Sequence, residues 1–172
     1  MEFLEWVAVD CDFTVRIDIS VLNQLAAFRQ TLSGNEPESL GLLVGLVWPT
    51  AFWVKAATIP TPFDELNRFW CIRTEKSAEF NFHTLKRLNL QSNHQLHYLG
   101  EWHTHPQIQP TPSLTDHINW RMLPENRYFE QDTRLFVILG TESCSRDWLN
   151  IQINGTFFDL ILKNGQHSKQ NY

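Results

Sequence analysis

The spacing of apolar side chains changes several times along the 172 residues, and each change marks an element. Val7 to Asp18, "VAVDCDFTVRID", alternates apolar and polar positions and reads as an opening strand or one arm of a hairpin. From Ser20 the period becomes helical. Val21, Leu22, Leu25 and Phe28 share one face, Asp18 or Ser20 is available as N-cap, and Gly34-Asn35 is predicted to stop the helix. "LGLLVGLVW" (Leu40–Trp48) is an apolar run of strand length, Pro49-Thr50 punctuates it, and "AFWVKAATI" returns as a second strand. "FDELNRFWCI" is a candidate third.

Thr74 to Leu90 predicts a long helix with charged residues in its first turn. "LHYLGEWHTH" goes back to strand. Ser113–Leu123 predicts a helix capped by Ser113 and halted at Pro124. "RLFVILGT", "DWLNIQIN" and "TFFDLILK" follow as three more strands. The predicted class is mixed α/β (α+β), a central mixed sheet flanked by helices, in one domain over residues 1–165 with a frayed tail at 166–172.

Composition narrows what such a domain can do. With 42% apolar and 19% charged residues the chain has the make-up of an ordinary globular domain, and a net charge of −5 argues against a nonspecific nucleic-acid binder. Three cysteines, odd in number, widely spaced and without a CxxC pair, suggest neither a disulfide framework nor a cysteine zinc knuckle. Acidic residues stand near the N-terminus where a signal peptide is basic, and no apolar run approaches the ~18 residues of a membrane span. A cytoplasmic setting is therefore expected.

The chemistry concentrates in "GEWHTHPQIQPTPSLTDHINW", residues 100–120. His103 and His105 lie at i and i+2 of a predicted strand, so both imidazoles point to one face and can reach one ion. Three prolines stiffen the path to Ser113, and Asp116 falls in the first turn of the next helix, able to turn back toward the strand. Two imidazoles and one carboxylate leave a fourth position open, the pattern of a catalytic rather than a structural zinc. On the same pattern Glu101 shares the histidine face. Trp102 points the other way, into the core. Trp120, four residues after Asp116, can pack on the wall of the site.

His103-Thr104-His105-Pro106, six further residues, then Ser113-Leu114-Thr115-Asp116 resembles the JAMM signature of the JAB1/MPN/Mov34 metalloprotease superfamily. "ESLGLLVG", with Glu38, Gly41 and Gly45, is similar to the upstream glutamate strand of that family. The resemblance implies an MPN/JAB, cytidine-deaminase-like fold. It implies that His103, His105 and Asp116 bind Zn²⁺, and that Glu38 holds the attacking water as general base and passes its proton to the leaving amine. Ser113 would donate to the oxyanion, in competition with its N-cap role. Glu101 is the rival base, with Glu36 a lesser one.

Within the superfamily, Gln107-Ile108 departs from the Ser-Gly of RadC-like proteins, and the short gap from Leu123 to Arg134 departs from the longer insertions of eukaryotic deubiquitinating members. The context looks more like the prokaryotic JAB peptidases, among them the CD-NTase-associated JAB proteins of CBASS anti-phage systems. That implies a zinc isopeptidase whose partner is a protein with an extended C-terminal tail, either a ubiquitin-like protein or a CD-NTase conjugate. It also implies a link to E1-like and E2-like enzymes and no contact with nucleic acid or membrane. The alternatives are a JAB peptidase that processes a sulfur-carrier or ubiquitin-like precursor, and a non-catalytic MPN scaffold.

Overall fold

In a computed structural model the described residues are 2–128 and 131–163; the expected tail at 166–172 lies outside them. Strand β1 (Phe3–Ala8) and strand β2 (Thr14–Asp18) form a hairpin, so the opening alternating segment is broken by a turn and its first arm starts four residues earlier than expected. Helix α1 (Ile19–Ala26) starts after Asp18 and buries Val21 and Leu25. It ends well before Gly34. Arg29 is drawn instead into a bidentate pair with Asp147, at 2.6 Å on both arms, and also donates to the Gly140 carbonyl.

Strands β3 (Leu40–Trp48) and β4 (Ala51–Ala57) follow the apolar pattern. The expected third strand is a separate two-stranded hairpin, β5 (Glu65–Asn67) and β6 (Trp70–Ile72). Helix α2 (Glu75–Gln91) is capped by the Thr74 side chain, which accepts from the Ser77 amide. Strand β7 (His97–Thr104) carries the histidine motif, and helix α3 (Leu114–Met122) follows it. The chain ends through β8 (Arg127–Tyr128), β9 (Gln131–Leu139), β10 (Trp148–Ile153) and β11 (Thr156–Leu162).

The main sheet runs β10-β11-β1-β2-β4-β3-β7-β9-β8, and β10 also pairs with β9, so the sheet curls round and closes on itself. It is mixed: β2–β4 and β7–β9 are parallel, and the other pairings are antiparallel. Strand alternation then divides the packing. Leu135, Val137 and Leu139 of β9 join Leu43, Leu99, Trp102 and Ile151 in the main core. Phe136 and Ile138, pointing the other way, pack with Trp120 of α3 in a second cluster.

Gly100 sits at a bulge between β3 and β7, with φ of +153° and the Leu135 carbonyl oxygen 1.8 Å from where a Cβ would stand. Any side chain there would push β9 away from β7.

A buried His-His-Asp cluster beneath helix α3

The antiparallel register of β3 and β7 explains how residues sixty apart in sequence meet. Leu40 pairs with His103, and the ladder continues past the strand ends through Ser39 and Thr104, whose backbones bond at 3.0 Å. One step further lies Glu38, opposite His105, with Glu38 Oε1 4.0 Å from His105 Nε2. Gly41, next to Leu40 and opposite Trp102, has no room for a Cβ: the Thr58 carbonyl oxygen would lie 2.2 Å from it. The same carbonyl accepts from the Trp102 indole N–H at 3.0 Å.

On the other side, α3 brings Asp116 over the strand. Its Oδ1 lies 3.4 Å from His103 Nε2 and its Oδ2 3.6 Å from His105 Nε2, while the two Nε2 atoms are 3.1 Å apart. Both histidines are buried. Two imidazole nitrogens aimed at each other can share a single proton, whereas a cation between them and the carboxylate satisfies all three groups. The donor set, nitrogen and carboxylate oxygen with one side open to a cleft, fits a divalent ion such as zinc.

Electrostatics follow from burial and proximity. Burial raises the Asp116 carboxyl, but the hydrogen bond and charge of His103 and the hydrogen bonds from Ser113 outweigh it and hold Asp116 well below the usual carboxylate range. Burial, with the neighbouring His103, lowers the His105 imidazole, so it stands neutral with a lone pair to offer. Glu38 is pushed up to about 8 by burial and by the Asp116 charge, against a hydrogen bond from the Cys71 thiol. The thiol is itself pushed far up, first by burial and then by Glu38 and Asp116, and remains a protonated donor.

Ser113 is the N-cap of α3. Its hydroxyl accepts from the Asp116 amide at 3.1 Å and donates to Asp116 Oδ2 at 2.7 Å, and Oδ2 also accepts from the Ser113 amide at 2.6 Å. This reciprocal capping box fixes where the Asp116 carboxylate points. In this arrangement the Ser113 hydroxyl serves the cap.

Glu101, the rival base, is a partner of the Arg73 guanidinium. Glu36 is exposed, bonded to Thr31 and 3.7 Å from Arg68. Glu38 alone of the three stands against a histidine of the cluster. His117 turns toward Trp120 and Phe157, away from the cluster. Trp120 stacks on Phe136 and Trp148, with centroids at 4.3 and 5.6 Å, and its ring lies 6.2 Å from that of His103. This stack is the wall of the site.

Two clefts flank the cluster. One, about 460 Å³, is lined by Glu38, Phe69, Gln107 and Ser113; the other, about 600 Å³, by Arg73, Glu101, His103 and Trp120. Trp70, Cys71, Thr115, Asp116 and Asn119 line both, so a continuous groove passes the cluster between the β5–β6 hairpin and α3. The pattern of the sequence did not single out Cys71 or Arg73. Neither has a spacing signal, because their roles depend on a hairpin folding over β7.

A family model described as prokaryotic homologs of the JAB domain matches residues 20–150, a span that includes Glu38 and the whole cluster. A Pseudomonas aeruginosa protein named CD-NTase/cGAS isopeptidase is 32% identical over 171 residues, covering 98% of this chain and 96% of that protein. Proteins of the same name from Vibrio cholerae and Escherichia coli are 30% and 34% identical, covering 76% and 66% of this chain and 79% and 70% of their own lengths. Among solved structures, a Desulfitobacterium hafniense protein determined in solution is similar in fold, with a TM-score of 0.57 at 16% identity over 91% of this chain and 97% of that one.

Proposed function

The chain belongs to the prokaryotic JAB family, and from that premise we propose that it is a zinc-dependent isopeptidase that releases a protein from whatever is joined to its C-terminus. The observation that carries the reading is the convergence of His103, His105 and Asp116 on one point with Glu38 4.0 Å from His105, at the floor of an open groove.

His103 Nε2, His105 Nε2 and Asp116 Oδ1 would hold the ion. When bound, zinc supplies Lewis acidity toward the scissile carbonyl and acidifies water. Glu38, 4.0 Å from His105, would take a proton from the attacking water and return it to the departing amine. Ser113 would serve the oxyanion only by turning its O–H from Asp116 Oδ2, after which the amide bond of Ser113 to that oxygen still holds the cap.

The groove suits an extended tail. Among the described residues β6 pairs only with β5, and Asn67 and Trp70 close a two-residue turn. By antiparallel alternation, the N–H and C=O of Cys71 then point away from β5, along the groove, where a peptide could add as a third strand. The names of the relatives favour a CD-NTase as the tail-bearing protein, in a CBASS pathway with E1-like and E2-like conjugating enzymes. A cytoplasmic setting follows from that pathway.

The test is cleavage of a CD-NTase conjugate made by the accompanying E1-like and E2-like enzymes, with and without chelator. Chelator-sensitive release of the intact CD-NTase is expected. Release that survives complete removal of metal would overturn the reading.

A further inference from the structure

On the face of β7 opposite the histidines sits Gln30, without solvent exposure, in a segment after α1 that has no regular structure. A buried carboxamide needs partners for its polar atoms, and Gln30 has three. Its Nε2 donates to the carbonyls of Glu36 at 2.9 Å and Arg68 at 2.8 Å, and its Oε1 accepts from the Thr104 hydroxyl at 3.3 Å. Glu36 lies two residues before Glu38, Arg68 lies in the turn of the β5–β6 hairpin, and Thr104 stands between His103 and His105.

The three contacts reach the three parts of the proposed site, and direct bonds run between those parts as well. Thr104 Oγ1 accepts from the Ser39 amide at 2.9 Å, and the Glu38 amide donates to the Asn67 carbonyl at 2.7 Å. Arg68 adds bonds to the carbonyls of Thr31 and Leu32, both at 2.9 Å.

We propose that Gln30 is a positioning residue, a three-way joint that sets the Glu38 carboxylate and the β6 edge relative to the histidine strand. It touches neither the cluster nor the groove. If its side chain cannot bond, the Glu36 and Arg68 carbonyls lose this donor and the buried amide loses its place. The loop and hairpin then relax outward, while the imidazoles, held by the sheet ladder, stay in place. The kinetic consequence rests on the reading of Glu38 as base; the geometric one does not.

The test is Gln30→Met, which keeps the side-chain volume and removes the bonds. Expected are an unchanged zinc content, a KM raised several-fold by the displaced β6 edge, and a kcat for the conjugate down about tenfold or more, since small misplacements of reacting groups are costly. Hydrogen exchange should accelerate at the Glu38 amide and over residues 66–70 and stay unchanged over β9. Thr104→Val, which cuts the joint from the other side, should give the same pattern, and it decides the matter if Gln30→Met does not fold. Asn150→Ala, which removes a buried side chain on β10 bonded to Asp159, should alter stability without altering kcat. Wild-type kcat and wild-type exchange at Glu38 in Gln30→Met would overturn the proposal, as would acceleration spread evenly over the whole chain. If the wild-type protein shows no chelator-sensitive cleavage, the isopeptidase reading fails, and the exchange pattern still decides the joint.

Discussion

The two walls of the groove are held in different ways. On one side, β7 is a central strand with ladders to β3 and β9, and α3 is fixed over it by a capping box and by the Trp120 stack. On the other, β5–β6 is a hairpin of three-residue strands outside the main sheet, with Phe69, Trp70 and Ile72 exposed, tied down by hydrogen bonds near its turn. The proposed metal ligands all belong to the first wall. Glu38 stands where the two meet, its amide bonded to the hairpin and its carboxylate facing His105. Holding an ion and using it are therefore separable properties, and substitutions can pull them apart.

The largest effect is expected from His103→Ala, which removes a ligand from the first wall. Zinc per chain should fall from about one toward zero, and cleavage with it, by elemental analysis and by assay. Full metal in this variant would break the ligand assignment.

Glu38→Ala should instead keep the zinc and lower cleavage by about 10²–10⁴-fold, the usual range for a lost acid–base group. Glu101→Gln, beside Arg73, should change cleavage far less. If the two results are exchanged, Glu101 holds the role given to Glu38.

Behind the first wall, Trp120→Ala removes a ring that is 4% exposed and should cost about 3–5 kcal/mol of stability in denaturant unfolding. The smallest effect belongs to the second wall. Ile72→Lys, at an exposed position, should leave zinc content untouched and stability within about 0.5 kcal/mol while raising KM several-fold. A hairpin variant that loses metal would erase the distinction between the walls.

The same distinction governs what could be read in advance. The first wall was legible because its residues obey local rules. The i, i+2 histidines share a strand face, Ser113 and Asp116 sit at capping-box spacing, and the apolar run 40–48 and the strands from Arg134 onward have clear strand signals. The second wall was legible only as a vague strand. Its turn, Arg68-Phe69, contains none of the Gly, Asn or Pro that usually mark one, and what holds it comes from a distant loop. For the same reason the end of α1 was misplaced: Gly34 is a local stop signal, whereas the pull of Asp147 on Arg29 is 118 residues away. Glu38 carries no spacing signal of its own and is marked only by the family resemblance, since strand register alone brings it to His105.

One further consequence lies in the division of labour within Asp116. Oδ2 starts a helix and Oδ1 faces an imidazole, so a single carboxylate belongs both to the folding of α3 and to the proposed ion-binding set. The two equilibria are then linked: whatever occupies the cluster also nucleates the helix above it, and stripping it away should loosen the first turn of α3 before it disturbs the strands. In this protein the stability of a helix end would serve as a gauge of metal occupancy.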